Sequence, residues 1–259
     1  NIAFIGGGYV GLVSSVCFSD LGNSVTCIEN DPLKFNALND GRIPFYEPEL
    51  LDKFKKNTQL NRLVIKPELD ESIFDNDIIF LAVGTPMSAD GEADLSYLFN
   101  AVDMLCSLAK RYEFESNVII TTKSTVPVGT GRIIEQKLDQ FRLLEYITVA
   151  SNPEFLREGS AVHDFFHPDR IVIGCDDQIA FNVFERLYGP ICRNSRPILN
   201  VSVETAELSK YASNTFLATK ISFINEMSRL CDRVGADISD VAKIMGLDGR
   251  IGKYFLNPS

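Results

Sequence analysis

The sequence predicts an α/β fold, a doubly wound parallel sheet of the Rossmann-like kind, followed by one long helix and the beginning of a helical second part. Three observations predict it. The chain opens on a short apolar run, Asn1 to Ile5, that leads into Gly6-Gly7-Gly8-Tyr9-Val10-Gly11 and an apolar stretch to Leu21. Apolar runs of strand length then alternate with helical stretches as far as Val201, the pattern of a parallel sheet covered by helices on both faces. From Val203 to Val234 there is neither proline nor glycine, which allows about nine turns of continuous helix.

The opening reads as strand, glycine turn, helix. The spacing of Gly6, Gly8 and Gly11 fits the dinucleotide fingerprint: a tight turn, close approach of a pyrophosphate to the backbone, and close packing of helix on strand. The helix would then turn its unpaired N–H groups and partial positive charge toward the phosphates. That spacing alone is a weak signal, and the next strand gives it context. Ser24 to Ile28 is a second apolar run ending in Glu29, 18 residues after Gly11 and near the ~20 expected for a ribose-binding acid. A carboxylate there accepts hydrogen bonds from ribose hydroxyls and repels a 2′-phosphate, which favours NAD over NADP. Asp31-Pro32 reads instead as an N-cap and first helical residue.

Composition excludes several classes. At 259 residues, 45% hydrophobic and 23% charged, the chain reads as a soluble globular protein with room for one large or two smaller domains. Its net charge of −10 disfavours nonspecific binding to nucleic acid or an anionic membrane, while leaving room for a local phosphate site. No run approaches the ~20 apolar residues of a membrane span, and none resembles a signal peptide. The chain begins inside its first strand, so little is expected to precede it. The six cysteines show no Cys-X-X-Cys pair and sit mostly in apolar segments, as reduced thiols of a cytoplasmic protein do. None has the setting of a nucleophile.

In chain order, Pro32 to Asn39 is a helix closed by Gly41, and Ile43 to Leu50 is a loop broken by two prolines before a helix to about Asn57. Arg62 to Lys66 and Asp77 to Val83 are strands, the second stopping at Gly84-Thr85-Pro86. Asp94 and Ser96 can cap a helix whose Leu95, Leu98, Val102, Leu105 and Leu108 share one face. The strand Asn117 to Thr122 runs into Lys123-Ser124-Thr125-Val126-Pro127-Val128-Gly129-Thr130, and a helix covers Gly131 to Phe141. The strand Tyr146 to Ala150 runs into Ser151-Asn152-Pro153-Glu154-Phe155-Leu156-Arg157-Glu158-Gly159. Three strand ends thus carry small, hydroxyl or charged residues where an open α/β sheet places its ligands. Arg170 to Gly174, Ile179 to Leu187 and Pro197 to Val201 complete the alternation.

His163 and His167 are four apart, but aspartate stands where a zinc protease needs its glutamate base, Pro168 ends the helix, and the chain has no third histidine. A solvated helix end is expected and no metal site. In the long helix, Phe216, Leu217, Ile221, Phe223, Ile224, Met227, Leu230, Cys231 and Val234 leave more than one side apolar, so burial between layers or subunits is expected. Lys210 and Asn214 share a face four residues apart, as a site or as a solvated stripe. Asp237 to Gly246 is a further helix, and Asp248-Gly249-Arg250-Ile251-Gly252 a turn.

The motifs together resemble the UDP-glucose 6-dehydrogenase family, nucleotide-sugar dehydrogenases that oxidise a sugar primary alcohol to a carboxylate with two NAD. The matching stretches are Gly6 to Gly11, Tyr46-Glu47-Pro48, Val83-Gly84-Thr85-Pro86, Ser124-Thr125-Val126-Pro127, Asn152-Pro153-Glu154-Phe155-Leu156, Pro168-Asp169-Arg170, Thr205-Ala206-Glu207-Leu208-Ser209-Lys210 and Arg250-Ile251-Gly252. They run in family order across nearly the whole chain.

The resemblance implies an NAD-binding Rossmann-like domain over 1–200, then the long central helix and a partial helical dimerisation domain over 201–259. Gly6, Gly8, Tyr9, Val10 and Gly11 would hold the cofactor, Glu29 and Lys34 its adenosine ribose, with Gly84, Thr85, Ser124 and Thr125 along it. Glu154 would be the base for thioester hydrolysis, with Thr125 positioning a water. Phe155, Leu156 and Arg157 would line the sugar nucleotide. Lys210 and Asn214 would stabilise the oxyanion at the sugar C6 oxygen, where a fixed cation and a neutral donor suit the chemistry. Glu158 is a second carboxylate beside the cofactor or a solvated residue. Arg250 would reach the UDP-sugar of a neighbouring subunit in a homodimer paired through the central helix.

One departure stands out. The family's nucleophilic cysteine, in a glycine-rich segment expected shortly after Ser259, is absent, as is the C-terminal UDP-binding domain. Without the thiolate no thiohemiacetal or thioester forms, so this chain is expected to be the cofactor part of the enzyme, inactive in the complete reaction. A nonenzymatic NAD-binding dimerisation module is the alternative. So are the GDP-mannose and UDP-N-acetylmannosamine enzymes, although Leu208 to Asn214 looks closest to the UDP-glucose branch.

Overall fold

A computed structural model describes residues 1–114, 117–192 and 197–258. The chain divides into two compact units, Asn1–Leu208 and Ser209–Ser259. In the first, strands and helices alternate: β1 (Ile2–Ile5), α1 (Tyr9–Asp20), β2 (Val25–Ile28), α2 (Pro32–Asn39), α3 (Leu50–Gln59), β3 (Leu63–Lys66), a 3-10 turn (Glu71–Asp75) and β4 (Ile78–Leu81). Then come α4 (Ser96–Ala109), β5 (Val118–Thr122), α5 (Thr130–Gln140), β6 (Ile147–Ser151), α6 (Ala161–Phe166), β7 (Ile171–Gly174), α7 (Gln178–Tyr188) and β8 (Ile198–Val201). The long helix α8 (Val203–Val234) begins in the first unit and continues into the second, which adds α9 (Ile238–Leu247).

The strands form a single sheet in the order β3-β2-β1-β4-β5-β6-β7-β8. The chain leaves β1 for β2 on one side and returns to β4 on the other, so the order reverses at the β1/β4 boundary, where open α/β sheets bind ligands beyond their carboxyl ends. Strand side chains alternate between two cores. Ile2 and Phe4 join Phe18, Phe80, Phe165 and Phe184 on one face, where the Phe4 and Phe80 rings stack at 4.5 Å. Ala3 and Ile5 join Ile79, Leu81, Leu98, Val102 and Leu105 on the other. Burial on both faces explains why these strands read as unbroken apolar runs.

The sheet departs from the expected parallel pattern at one junction. β6 and β7 pair antiparallel, and only through Ser151 and Gly174. A parallel neighbour requires the chain to travel back the ~16 Å of a five-residue strand. α6 has six residues, a rise of about 9 Å, and so does not return the chain as the longer helices do. β8 then pairs parallel with β7.

Local signals explain several element ends. Asp31 caps α2 by accepting from the N–H groups of Leu33 and Lys34, with Pro32 as first helical residue. Asp177 caps α7 in the same way. In the second unit Asp237 caps α9, and Lys220 donates to the Ile251 carbonyl at 3.1 Å. Ile224 and Cys231 are buried there, but Phe216, Phe223, Leu230 and Val234 remain exposed on this chain, so its own packing covers only part of the apolar surface of α8. No helix among the described residues is long and apolar enough to cross a membrane.

Candidate functional site

The glycine turn lies at the β1/β4 switch point. Gly6 has φ +109°, and a Cβ there would lie 2.5 Å from the Ala82 carbonyl oxygen. A Cβ on Gly11 would lie 1.9 Å from the Gly6 oxygen, so helix and strand approach as only glycine permits. At Gly8, by contrast, a Cβ would meet nothing within 4 Å. Gly8 is also the N-cap of α1 and supplies no side-chain cap. The first turn of α1 therefore opens onto free space with its N–H groups uncapped by a side chain, which suits a pyrophosphate.

Glu29 follows β2 and is 5% exposed. Its Oε1 accepts from the Asp31 N–H at 2.9 Å. A Cβ added to Gly7 would lie 2.9 Å from Oε2, so the carboxylate sits against the glycine turn. An acid placed here fits the ribose of NAD and opposes a 2′-phosphate. Lys34 is an exposed residue of α2, its backbone N–H given to Asp31.

The exits of β4 and β5 are tied together. Ser124 donates its hydroxyl to the Val83 carbonyl at 2.6 Å, and Thr85 donates to the Thr125 carbonyl at 3.0 Å. Four expected site residues, Gly84, Thr85, Ser124 and Thr125, are thereby brought side by side, on the opposite side of β1 from Glu29.

Beyond β6, Asn152 is buried and makes three side-chain hydrogen bonds. It donates Nδ2 to the Val172 carbonyl at 2.9 Å, and its Oδ1 accepts from Lys123 Nζ at 3.0 Å and the Tyr188 hydroxyl at 2.5 Å. Lys123 is 5% exposed, and its Nζ lies 5.8 Å from the centre of the Phe80 ring. This cluster anchors the start of the loop that carries Glu154. Glu154 is half-buried, and its carboxylate accepts from the Leu156 N–H at 2.6 Å. The Arg170 guanidinium stacks on Phe155 at 3.8 Å, and Arg157 pairs with Asp164 at 2.6 Å. Glu158 is exposed.

The far end of the same loop returns to the glycine turn. Buried Glu47 accepts from the Tyr9 hydroxyl at 2.5 Å, the Gly159 N–H at 2.9 Å and the Val162 N–H at 3.3 Å. Burial and the bond to the Glu47 carboxylate push the Tyr9 hydroxyl well above the usual tyrosine range.

Residues 1–192 match the NAD binding domain of the UDP-glucose/GDP-mannose dehydrogenase family, and residues 204–259 match its central domain. The chain belongs to the UDP-glucose/GDP-mannose dehydrogenase family. It is 46% identical to the UDP-glucose 6-dehydrogenase of Rhizobium meliloti over 99% of this chain and 58% of that protein. It is also 46% identical to UDP-glucose 6-dehydrogenase TuaD of Bacillus subtilis over 99% of this chain and 54% of that one. Among solved structures, a UDP-glucose dehydrogenase from Pyrobaculum islandicum superposes with a TM-score of 0.92 at 38% identity, covering 99% of this chain and 59% of its own. A GDP-mannose dehydrogenase from Pseudomonas aeruginosa superposes at 0.90 with 29% identity, covering 99% and 59%. The chain thus spans little more than half the length of these relatives.

As a member of the UDP-glucose/GDP-mannose dehydrogenase family, the chain carries the remaining expected residues in its second unit. Lys210 and Asn214 lie one turn apart on α8, the lysine buried and the asparagine exposed. Arg250 is exposed and held by its own neighbour Asp248 at 2.6 Å. His163 and His167 stack at 4.5 Å on the outside of α6, and no group of three metal-ligating side chains occurs among the described residues. Four of the cysteines, Cys17, Cys27, Cys106 and Cys175, are less acidic than a free thiol because they are buried, Cys27 reaching about 12.

No role is legible in the sequence for Glu47, Lys123, Asn152, Tyr188 or Glu207. Glu47, Asn152 and Glu207 stand inside motifs, but their neighbours, Tyr46 and Pro48, Ser151 and Pro153, and Ala206 and Leu208, do not separate a buried polar group from a solvated one.

Proposed function

We propose that this chain provides the NAD site and the proton-transfer and oxyanion groups of a UDP-glucose 6-dehydrogenase, acting as a cytoplasmic homodimer that pairs through α8. One observation carries the reading. Glu29 lies against a glycine turn whose open side faces the uncapped start of α1, at the switch point of the sheet. The relatives' names support UDP-glucose as substrate, at higher identity than the GDP-mannose enzyme.

NAD held at this site would supply the hydride acceptor for oxidation at the sugar C6. The chain's own residues do the rest. Lys210 and Asn214 stabilise negative charge on the C6 oxygen, the lysine by its ammonium and the asparagine by its amide N–H. In this reading the acyl group is carried as a thioester on a cysteine thiol. In the hydrolytic step Glu154 takes a proton from water as the water oxygen bonds to the acyl carbon and the thiolate leaves. Thr125 holds that water. Phe155, Leu156 and Arg157 line the sugar nucleotide, and Arg250 reaches that of the partner subunit. Exposed Phe216, Phe223, Leu230 and Val234 supply apolar area for pairing.

Calorimetric titration with NAD and with NADP tests the reading. Saturable NAD binding with NADP markedly weaker is expected, with no UDP-glucuronate formed by this chain alone. Folded protein that binds neither nucleotide would overturn it.

A further inference from the structure

α5 starts without a side-chain cap of its own. Its N-cap, Gly129, has φ +96° and, lacking a side chain, offers no side-chain oxygen to the N–H groups at this helix start. Two of them, on Gly129 and Gly131, instead donate at 2.7 Å each to the two carboxylate oxygens of Glu207, which arrives from α8, 76 and 78 residues further along the chain. The fit is close: a Cβ on Gly131 would lie 2.5 Å from Val203 Cγ1 and 3.3 Å from Glu207 Oε1. Glu207 is 2% exposed. Charge-assisted bonds and the helix N-terminus offset part of the hydration that a carboxylate so buried loses.

The cap holds the loop 124–129. Its first residues are tied to the β4 exit, by Ser124 to the Val83 carbonyl and by Thr85 to the Thr125 carbonyl. Its last residue is tied to Glu207. Glu29 marks the adenosine side, beyond β2, and the glycine turn marks the pyrophosphate. The loop after β5 lies on the other side of β1, where the nicotinamide half must fall.

We propose that Glu207 is a positioning residue for the nicotinamide side of the site: by capping α5 from a distance, it sets Ser124 and Thr125 against Gly84 and Thr85. The inference rests on the NAD reading above.

The test compares affinity for NAD with affinity for ADP-ribose, which lacks the nicotinamide, in the wild-type chain and in Glu207→Gln. The amide keeps the volume but serves only one of the two N–H groups. NAD affinity should fall about fivefold to tenfold, less than the full worth of a hydrogen bond to a charged acceptor because the loop is only partly released, while ADP-ribose affinity stays constant. Amide exchange at Gly129 and Gly131 should quicken at the same time. Glu207→Asp keeps the charge and shortens its reach, and the same ratio is read from it should the glutamine variant not fold. A ratio unmoved in the variants, with both nucleotides still bound by the wild type, overturns this proposal alone. A wild-type chain that binds neither nucleotide overturns the NAD reading and this inference with it.

Discussion

Tyr9 donates its hydroxyl to Glu47 at 2.5 Å, and the same carboxylate accepts from the Gly159 and Val162 N–H groups. One buried side chain thus joins the first residue of α1 to the end of the loop carrying Glu154. Removing it leaves the Tyr9 hydroxyl and the Val162 N–H without this acceptor, and the Gly159 N–H with only the longer bond to the Tyr9 hydroxyl at 3.2 Å. Glu47→Ala should cost about 3 kcal/mol, and Tyr9→Phe, which loses one donor, about 1 kcal/mol. Urea unfolding of the two variants and their double mutant checks this. Simple additivity in the double mutant would contradict a shared bond, because coupled partners are non-additive.

Glu29 should decide between the two cofactors. Its carboxylate is buried at the glycine turn, and a ribose diol bonded to a charged acceptor is worth more than about 1 kcal/mol. Glu29→Ala should weaken NAD about tenfold and leave NADP unchanged or stronger, so that the preference narrows. Equal loss for both nucleotides would mean that Glu29 serves the fold and not the ribose.

Asn152 is the acceptor for buried Lys123 Nζ and for the Tyr188 hydroxyl. Asn152→Ala withdraws that acceptor from both and removes the bond to the Val172 carbonyl. A loss of about 3 kcal/mol is expected. Asn152→Asp keeps the acceptor beside the ammonium and should recover part of it, although it gives up the Nδ2 donor. Unfolding midpoints of the two variants give the comparison, and an aspartate variant no better than the alanine would point to the lost Val172 bond as the larger effect.

How much of this is legible beforehand depends on sequence distance. Gly6 to Gly11, Asp31-Pro32 and the uninterrupted Val203 to Val234 act within a turn or two of themselves, and α2 and α8 begin and end where the sequence places them. The alternation of strand and helix likewise carries the parallel pairing of most strands, because parallel neighbours need crossovers. Pairing at long range is what cannot be read. Glu47 meets Gly159 across 112 residues and Glu207 meets Gly129 across 78, and nothing in the local pattern of either glutamate distinguishes a buried clamp from a solvated acid. The reversal at β7 is hidden for a related reason, since a short α6 looks like any other helix until its length is set against the strand it must retrace.

Two carboxylates should give the stability of the chain opposite slopes with pH. Burial works against ionisation of Asp20, but hydrogen bonds from Lys56, Lys53 and Asn57 outweigh it and bring the carboxyl down to about 2, from 3.8. A lowered folded value means stability present above pH ~4 and lost as the pH falls through about 2. For a side chain 11% exposed and held at about 2 instead of 3.8, its size is about 2 kcal/mol. Glu207 goes the other way. Burial raises its carboxyl above 4.5 despite the Gly131 and Gly129 N–H groups, with Glu204 adding to the rise and Arg132 opposing it. A raised folded value means stability that is full below pH ~4.5 and is lost as the pH climbs through the folded value. Unfolding free energies of Asp20→Asn and Glu207→Gln against the wild type between about pH 2 and pH 8 separate the two. Asp20→Asn should flatten the acid limb, and Glu207→Gln should remove the decline toward neutrality. A wild-type decline that persists unchanged in Glu207→Gln would assign it to another group.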